Sequence, residues 1–522
     1  MNADKEITTS GGKIAGWILV VCLILIIAIV PAVQLVKEIG SKEPLQEFDI
    51  LKRTPSVVNL RSYESKLEDN SIVAGAVRPR YQWLTTYLAK QGNAKVVLGR
   101  DGWLFYRPAI DYIVKPESGF HRELGPMPAI IAFHEALKVQ GVELILLPIP
   151  GKASIYPEYL SGRYKAESGP PVNPYAPEFF RILREKGVQV LDPAKILWEE
   201  KSKQSDSLFG EKNKDGNDLY LAQDTHWSPR GMKLVAGSLA EAIKSSDWLA
   251  GVEQRSYGVL PVEIKRFGDL YDMLELPKVR SSFKPLSITT EKVVDMETGE
   301  FCFSDASSPV VLLGDSFVNV FSEGGMGWGE NSGLGEHLAL QLGITIDVIA
   351  INDGGPTTAR ESLVRRQNAL VGKKLIIWQF PTRDLINAES DWKIVDVPEP
   401  KIEIQAPEPE QDTPKLVVTG EIIKTSLVPD PSIVAYSECV TYIKYKVISV
   451  EQGEYENSEL LAVFWGMRDS KLMPAARFKI GEKHRLSLDL FEDHEDLSHI
   501  MQADDTDDYD HIPYWVLEMS PL

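Results

Sequence analysis

The run Val310-Val311-Leu312-Leu313-Gly314-Asp315-Ser316 reads as a strand buried on both faces that breaks into a Gly-Asp-Ser turn. Four consecutive apolar residues without polar alternation suit the interior of a parallel sheet. Outward from it, strand-like and helical segments alternate. Upstream, 128–139, 177–186 and 229–242 have helical period, and strands are expected at 142–148 and 188–191. Downstream, helices are expected at 334–342 and 357–370, with strands at 344–351 and 374–380. A series of short strands is expected between 242 and 310. Asp101-Gly102 between apolar runs marks a β-hairpin over 96–106. The alternation predicts an α/β domain with a parallel sheet covered by helices.

The flanks differ. Residues 14–36, IAGWILVVCLILIIAIVPAVQLV, are almost wholly apolar. At about 1.5 Å per residue they are long enough for a hydrocarbon core of roughly 30 Å. No small-residue cleavage site follows, so 1–40 reads as an uncleaved transmembrane signal anchor and 41–75 as a stalk. The bulk of the chain is then expected outside a cell membrane that it crosses once, in a periplasmic or equivalent space. The α/β domain is placed at 76–390. A stiff linker rich in proline and acid fills 391–415. Residues 416–522 carry short strands and turn glycines, predicting a small all-β domain, either a sandwich or a five-stranded OB-like barrel.

Bulk properties exclude some classes. The chain has 522 residues and a formal net charge of −19, which argues against nucleic acid as a partner. Its three cysteines cannot form a disulfide framework. Cys302 and Cys439 are read as two separate buried thiols in preference to one bridge. His121, His134 and His337 lack metal-ligand spacing, so no metal is expected. No glycine-rich phosphate loop precedes a helix, and no cofactor is expected.

The chemistry rests on two fragments. Ser316 stands just past a strand end, where parallel-sheet folds place reactive groups. A serine hydroxyl needs a base to take its proton, and the base needs an orienting group. Tyr220-Leu-Ala-Gln-Asp224-Thr225-His226-Trp227-Ser228-Pro229 supplies His226 as base and Asp224 as orienter. Ser228 and Pro229 suit an N-cap and first helical position, leaving His226 on the preceding loop. A competing pair, Asp496 and His499, lies in an acidic stretch that suits a solvated surface. Trp328 suits either sugar stacking or the core, whereas Trp378 lies within a strand and suits packing.

These residues resemble the SGNH-hydrolase-like acetyltransferases of alginate-type polysaccharide O-acetylation. The matching pieces are residues 99–106, Pro150-Gly-Lys152-Ala-Ser-Ile-Tyr156-Pro157, Asp224-Thr-His-Trp, Gly314-Asp-Ser316 and Trp378-Gln-Phe-Pro-Thr-Arg383-Asp384. The resemblance implies a flavodoxin-like parallel sheet with the acid–histidine pair ahead of the serine. It implies Ser316 as nucleophile, His226 as base and Asp224 as orienter. It further implies transfer of acetyl groups to an exported polysaccharide, with a membrane-bound O-acyltransferase partner or a small molecule supplying them. Asn352, Gly354 and Gly355 are candidates for oxyanion or substrate contacts, and Lys152 and Tyr156 for the cleft. An esterase with the same triad and a non-catalytic polysaccharide-binding scaffold are the alternatives.

Overall fold

Five parallel strands form the central sheet: β3 (Glu143–Ile149), β4 (Gln189–Val190), β7 (Val310–Gly314), β8 (Asp347–Ala350) and β9 (Leu375–Pro381). Ahead of them β1 (Val96–Leu98) and β2 (Leu104–Tyr106) pair as the expected hairpin. Asp101 and Gly102 both take positive φ in its turn. The computed structural model describes residues 71–522 except 116–124, 165–168, 206–217, 278–282, 367, 387–390, 399–415, 430, 432–437, 469–470, 495–496 and 498–499, and a few positions before residue 41.

Sheet order is β4-β3-β9-β7-β8. Counted from β7 as the first strand, the order is 2-1-3-4-5, that of flavodoxin-like sheets. The chain therefore enters this sheet at its fourth strand, a circular shift that puts the acid–histidine loop ahead of the serine. Alternate strand residues feed opposite layers. Val310 and Leu312 join one core cluster, with helices α3 (Pro229–Ile243) and α5 (Leu334–Leu342). Val311 and Leu313 join the other, with α1 (Pro126–Val139), α2 (Ala176–Glu185) and α6 (Gly355–Arg365). Between β7 and α5, Ser316–Asn319 form the single turn α4.

The short strands expected between 242 and 310 are instead one antiparallel hairpin of β5 (Tyr257–Arg266) and β6 (Leu286–Asp295). Much of β5 is exposed, so no single hydrophobic face marks its length in the sequence. The helix expected over 357–370 starts at Gly355 and ends at Arg365.

Residues beyond 416 form a closed barrel. Its strands are β10 (Leu416–Thr425), β11 (Cys439–Gln452), β12 (Glu459–Arg468), β14 (Lys483–Leu490) and β16 (Pro513–Pro521), with β13 (Lys471–Leu472) and β15 (Met501–Ala503) added at the edges. The ring runs β10-β11-β12-β16-β14 and back to β10, with only the β12–β16 pairing parallel. This is the five-stranded OB-type connection, not a sandwich. Leu416, Val418, Ile443, Leu460 and Leu486 fill it. Cys302 and Cys439 are buried free thiols.

The barrel is fastened to α6 through buried charge. Arg365 pairs with Asp504 and lies over the rings of Tyr442 (4.9 Å) and Tyr509 (5.4 Å). Tyr509 donates to Glu361 at 2.8 Å. The Arg365 and Asp504 side chains are 5% and 1% exposed. Arg365→Ala is expected to cost about 3–5 kcal/mol, because it strands a buried carboxylate. Denaturant unfolding checks this, and a loss below about 1 kcal/mol would contradict it.

By contacts the chain divides into Gly92–Leu274 with Ser282–Leu522, described above, and Met1–Gln91 with Glu275–Ser281. The second unit contains the helix Ile72–Leu84. The apolar run 14–36 lies largely outside the described residues. Among those described, no helix is long and apolar enough to cross a membrane.

Candidate active site

Strand β7 delivers Ser316 to the carboxyl edge of the sheet. The turn there is fixed from two sides. Asp315 caps α4 by accepting from the Phe317 N–H at 2.9 Å, and its own N–H donates to Gln379 Oε1 on β9 at 2.9 Å. Flavodoxin-like sheets bind ligands in the crevice where strand order reverses, here between β7 and β9.

His226 comes from the loop before α3. Ser228 caps that helix by accepting from the Gly231 N–H, and Pro229 takes the first helical position. Tyr220 and Trp227 pair across the loop. His226 Nε2 stands 2.8 Å from Ser316 Oγ, and Nδ1 stands 2.7 Å from Asp224 Oδ1. A carboxylate only accepts, so Nδ1 carries the proton and Nε2 is free to accept from the serine hydroxyl. Phe317 packs edge-on against the imidazole with centroids 4.8 Å apart. All three groups are buried: Ser316 is 6%, His226 5% and Asp224 1% exposed.

Asp224 collects four donors. Oδ1 accepts from His226 Nδ1–H and from the His226 N–H at 3.1 Å. Oδ2 accepts from Trp328 Nε1–H at 2.7 Å and from the Asp269 N–H at 2.9 Å. Burial opposes the charge, but the hydrogen bond and charge of His226 outweigh it, aided by these donors, and hold the carboxyl well below its ordinary range.

Three residues that the sequence did not assign to the site converge here. Trp328, ambiguous on sequence, is a buried hydrogen-bond donor to the acid. Asp269 accepts from the Thr225 N–H at 2.7 Å, and its Oδ2 lies 3.7 Å from His226 Nδ1. Burial, with Asp224 beside it, pushes the Asp269 carboxyl up to about 7. Gly268 permits this approach, since a Cβ there would meet Gln223 O at 2.2 Å.

Lys152 and Tyr156 lie beneath the same loop. Lys152 Nζ donates to the carbonyls of Leu221 (2.8 Å), Ala222 (3.0 Å) and Asp224 (2.6 Å). Burial lowers its ammonium to about 7. Tyr156 Oη accepts from the Leu219 N–H at 2.8 Å. Asn352 Oδ1 accepts from Asn319 Nδ2 at 2.9 Å, one turn beyond Ser316. Gly354 and Gly355 line a cavity of about 390 Å³ that also takes in Asp315 and Arg383. Arg383 lies over the rings of Tyr106 (5.3 Å) and Phe317 (5.9 Å). Asp496 and His499 fall outside the described residues.

Among the described residues two acidic groupings have metal-like spacing, Asp224/His226/Asp269 and Glu459/Asp508/His511. In the first, Nδ1 is protonated and Asp224 is engaged by four N–H donors. In the second, Lys444 Nζ already stands 2.5 Å from Glu459 and 3.0 Å from Asp508.

The titration of His226 gives a further test. Burial alone would lower its pKa, but Asp224, with smaller contributions from Asp269 and Asp315, raises it above the ordinary value of about 6.5. A base must be neutral to work, so cleavage of an activated acetyl ester should fall as pH drops through a midpoint above about 6.5. Asp269→Asn keeps an acceptor for Thr225 and removes charge, so the midpoint should move down. A midpoint unmoved by that substitution would contradict the assignment.

Residues 96–382 match the family described as SGNH hydrolase-like domain, acetyltransferase AlgX. The probable alginate O-acetylase AlgJ of Pseudomonas putida is 27% identical over 321 residues, covering 58% of this chain and 75% of that protein. The Pseudomonas fluorescens protein of the same name is 27% identical over 307 residues, covering 57% and 70%. The solved O-acetyltransferase domain of Pseudomonas putida AlgJ aligns with a TM-score of 0.42 at 22% identity, covering 56% of this chain and 91% of that one. The family match takes in more than half of the 522 residues, and the chain belongs to the SGNH hydrolase-like acetyltransferase family of AlgX.

Proposed function

We propose that this chain transfers acetyl groups to hydroxyls of an exported polysaccharide through an acetyl-Ser316 intermediate. The observation that carries this reading is the run of hydrogen bonds from Asp224 through His226 to Ser316 at the carboxyl end of β7. Ser316 Oγ attacks the acetyl carbonyl of a donor while its proton passes to His226 Nε2. The tetrahedral intermediate collapses, and the leaving group departs with the proton from Nε2. A sugar hydroxyl then gives its proton to Nε2 and attacks the acetyl-serine carbonyl. Collapse of this second intermediate releases the sugar ester and returns the proton to Ser316. Asp224 keeps the imidazole in the required tautomer and stabilises the imidazolium that forms twice in the cycle.

Burial of the serine and histidine favours transfer over hydrolysis, since a docked hydroxyl competes with little water. The apolar run 14–36 supports a membrane anchor with the catalytic domain outside. A donor outside the cytoplasm implies a membrane-bound O-acyltransferase partner or a small acetylated carrier.

The full-length chain, given a chromogenic acetyl ester and an oligosaccharide, is expected to yield acetylated sugar by mass spectrometry. Free acetate as the sole product at saturating acceptor would establish the esterase reading and sink this one.

A further inference from the structure

The cavity beside the nucleophile has a second wall that belongs to the barrel. Leu427 and Pro429, from the β10–β11 connection, line it opposite Asp315 and Arg383. So do Met501 to Asp505, from the β14–β16 connection. In five-stranded barrels of this topology those two connections are the ligand-binding loops for oligosaccharides and oligonucleotides. The Arg365–Asp504 pair and the Tyr509–Glu361 bond hold that edge of the barrel against the catalytic domain.

The wall so formed is acidic. The sheet side contributes Asp315, Asp353 and Asp384. The α6 side contributes Glu361 and Asp391, and the barrel Asp504 and Asp505. Against these seven carboxyl groups stand two lining cations, Arg383 and Lys393, and Arg365 beneath Asp504. Burial pushes Asp384 up to about 7, so it carries part of a charge at neutral pH. Counting both Asp384 and its neighbour Asp353 as neutral still leaves five carboxylates against three cations. The excess does not describe a metal site, because among the described residues no set of three ligand atoms converges here. Nucleic acid is excluded by the same charge.

Resting on the acetyltransferase reading, we infer that the joint between sheet and barrel is the acceptor cleft and that it takes a glycan without carboxylates, neutral or amine-bearing. A uronate polymer would bring its own negative charge into a recess with low-dielectric walls, where repulsion is screened least. A neutral sugar meets hydrogen-bond acceptors together with the donors of Arg383 and Lys393 and brings no opposing charge, and an amino sugar gains attraction. This separates the chain from a role on an alginate-type polyuronate, despite the family it belongs to.

The test uses the full-length Ser316→Ala chain, so that binding is read without acetyl chemistry. Calorimetric titration compares a neutral gluco-oligosaccharide, a glucosamine oligomer and an oligomannuronate of equal length at low salt. The glucosamine and neutral oligomers are expected to bind about tenfold or more tightly than the uronate, and added salt should narrow the gap. Asp505 is exposed and accepts from the Leu427 N–H at 2.8 Å. Asp505→Asn keeps an acceptor and should tighten uronate binding about threefold. Equal or tighter uronate binding, no binding by any of the three, or no response to Asp505→Asn overturns the inference. Acetylation of Ser316 in the parent chain by the chromogenic ester is a separate readout, and its absence fails the catalytic reading alone.

Discussion

Ser316→Ala is expected to lower acetyl-ester cleavage and acetyl transfer by about four orders of magnitude or more while leaving the fold intact. Removing the nucleophile of a serine triad leaves only the catalysis that binding and oxyanion contacts supply. The fold should not feel the change. The turn is held by Asp315, whose carboxylate accepts from the Phe317 N–H and whose N–H reaches Gln379, and neither bond involves the serine hydroxyl. His226 keeps its place through Asp224 and the ring of Phe317. The measurement is steady-state cleavage of a chromogenic acetyl ester beside a thermal unfolding curve. Retention of more than about one per cent of parent activity would remove Ser316 from the mechanism.

Asp224→Asn should be nearly as damaging to activity, for a different reason. Four N–H groups point at the two oxygens of Asp224: two from His226, one from Trp328 and one from Asp269. An amide offers one oxygen and one NH2, so in either orientation an N–H faces another donor. With the NH2 towards His226, Nδ1 must give up its proton and Nε2 must carry one, and the ring cannot accept from Ser316. With the NH2 reversed, it meets the Trp328 and Asp269 donors. A wrong tautomer in such a triad costs about 10⁴ in turnover. Stranding a buried donor costs a further 1–3 kcal/mol or so of stability. Trp328→Phe removes one donor but leaves the carboxylate, and should cost far less activity. Kinetics and denaturant unfolding of both variants decide the matter, and equal losses in the two would contradict this account.

Much of the sheet was readable because its strands are buried on both faces. Val310 to Gly314 and Leu375 to Pro381 are buried throughout and apolar but for Gln379, and the helices between them have a clear period. The serine and histidine were readable because each stands at a strong local signal, a strand end or a helix cap. Trp328 and Asp269 were not, nor was the hold of Lys152, a cleft candidate on sequence, on the loop carbonyls. Trp328 lies 104 residues from the carboxylate it serves and Lys152 72 from the carbonyl it holds. Their roles depend on packing that brings remote backbone together. Nothing local distinguishes a buried donor tryptophan from one in a core. The last barrel strand, Pro513–Pro521, carries little local signal, because its partly exposed residues do not alternate in hydrophobicity and prolines bound it at both ends.

Sequence by itself determined the layer architecture, the places of Ser316 at a strand end and His226 before a helix cap, the apolar run 14–36 and the presence of a separate β-domain. These are set by short-range rules: hydrophobic period, caps and turn chemistry. Tertiary structure alone decided which donors fix Asp224, that the barrel closes in OB order, and that its loops form the far wall of an acidic cavity beside Ser316. Net charge could not reveal that cavity. Its field comes from carboxyl groups just past β7, β8 and β9, on α6, at Asp391 and on one barrel loop, and electrostatics follows distance in space and not distance along the chain.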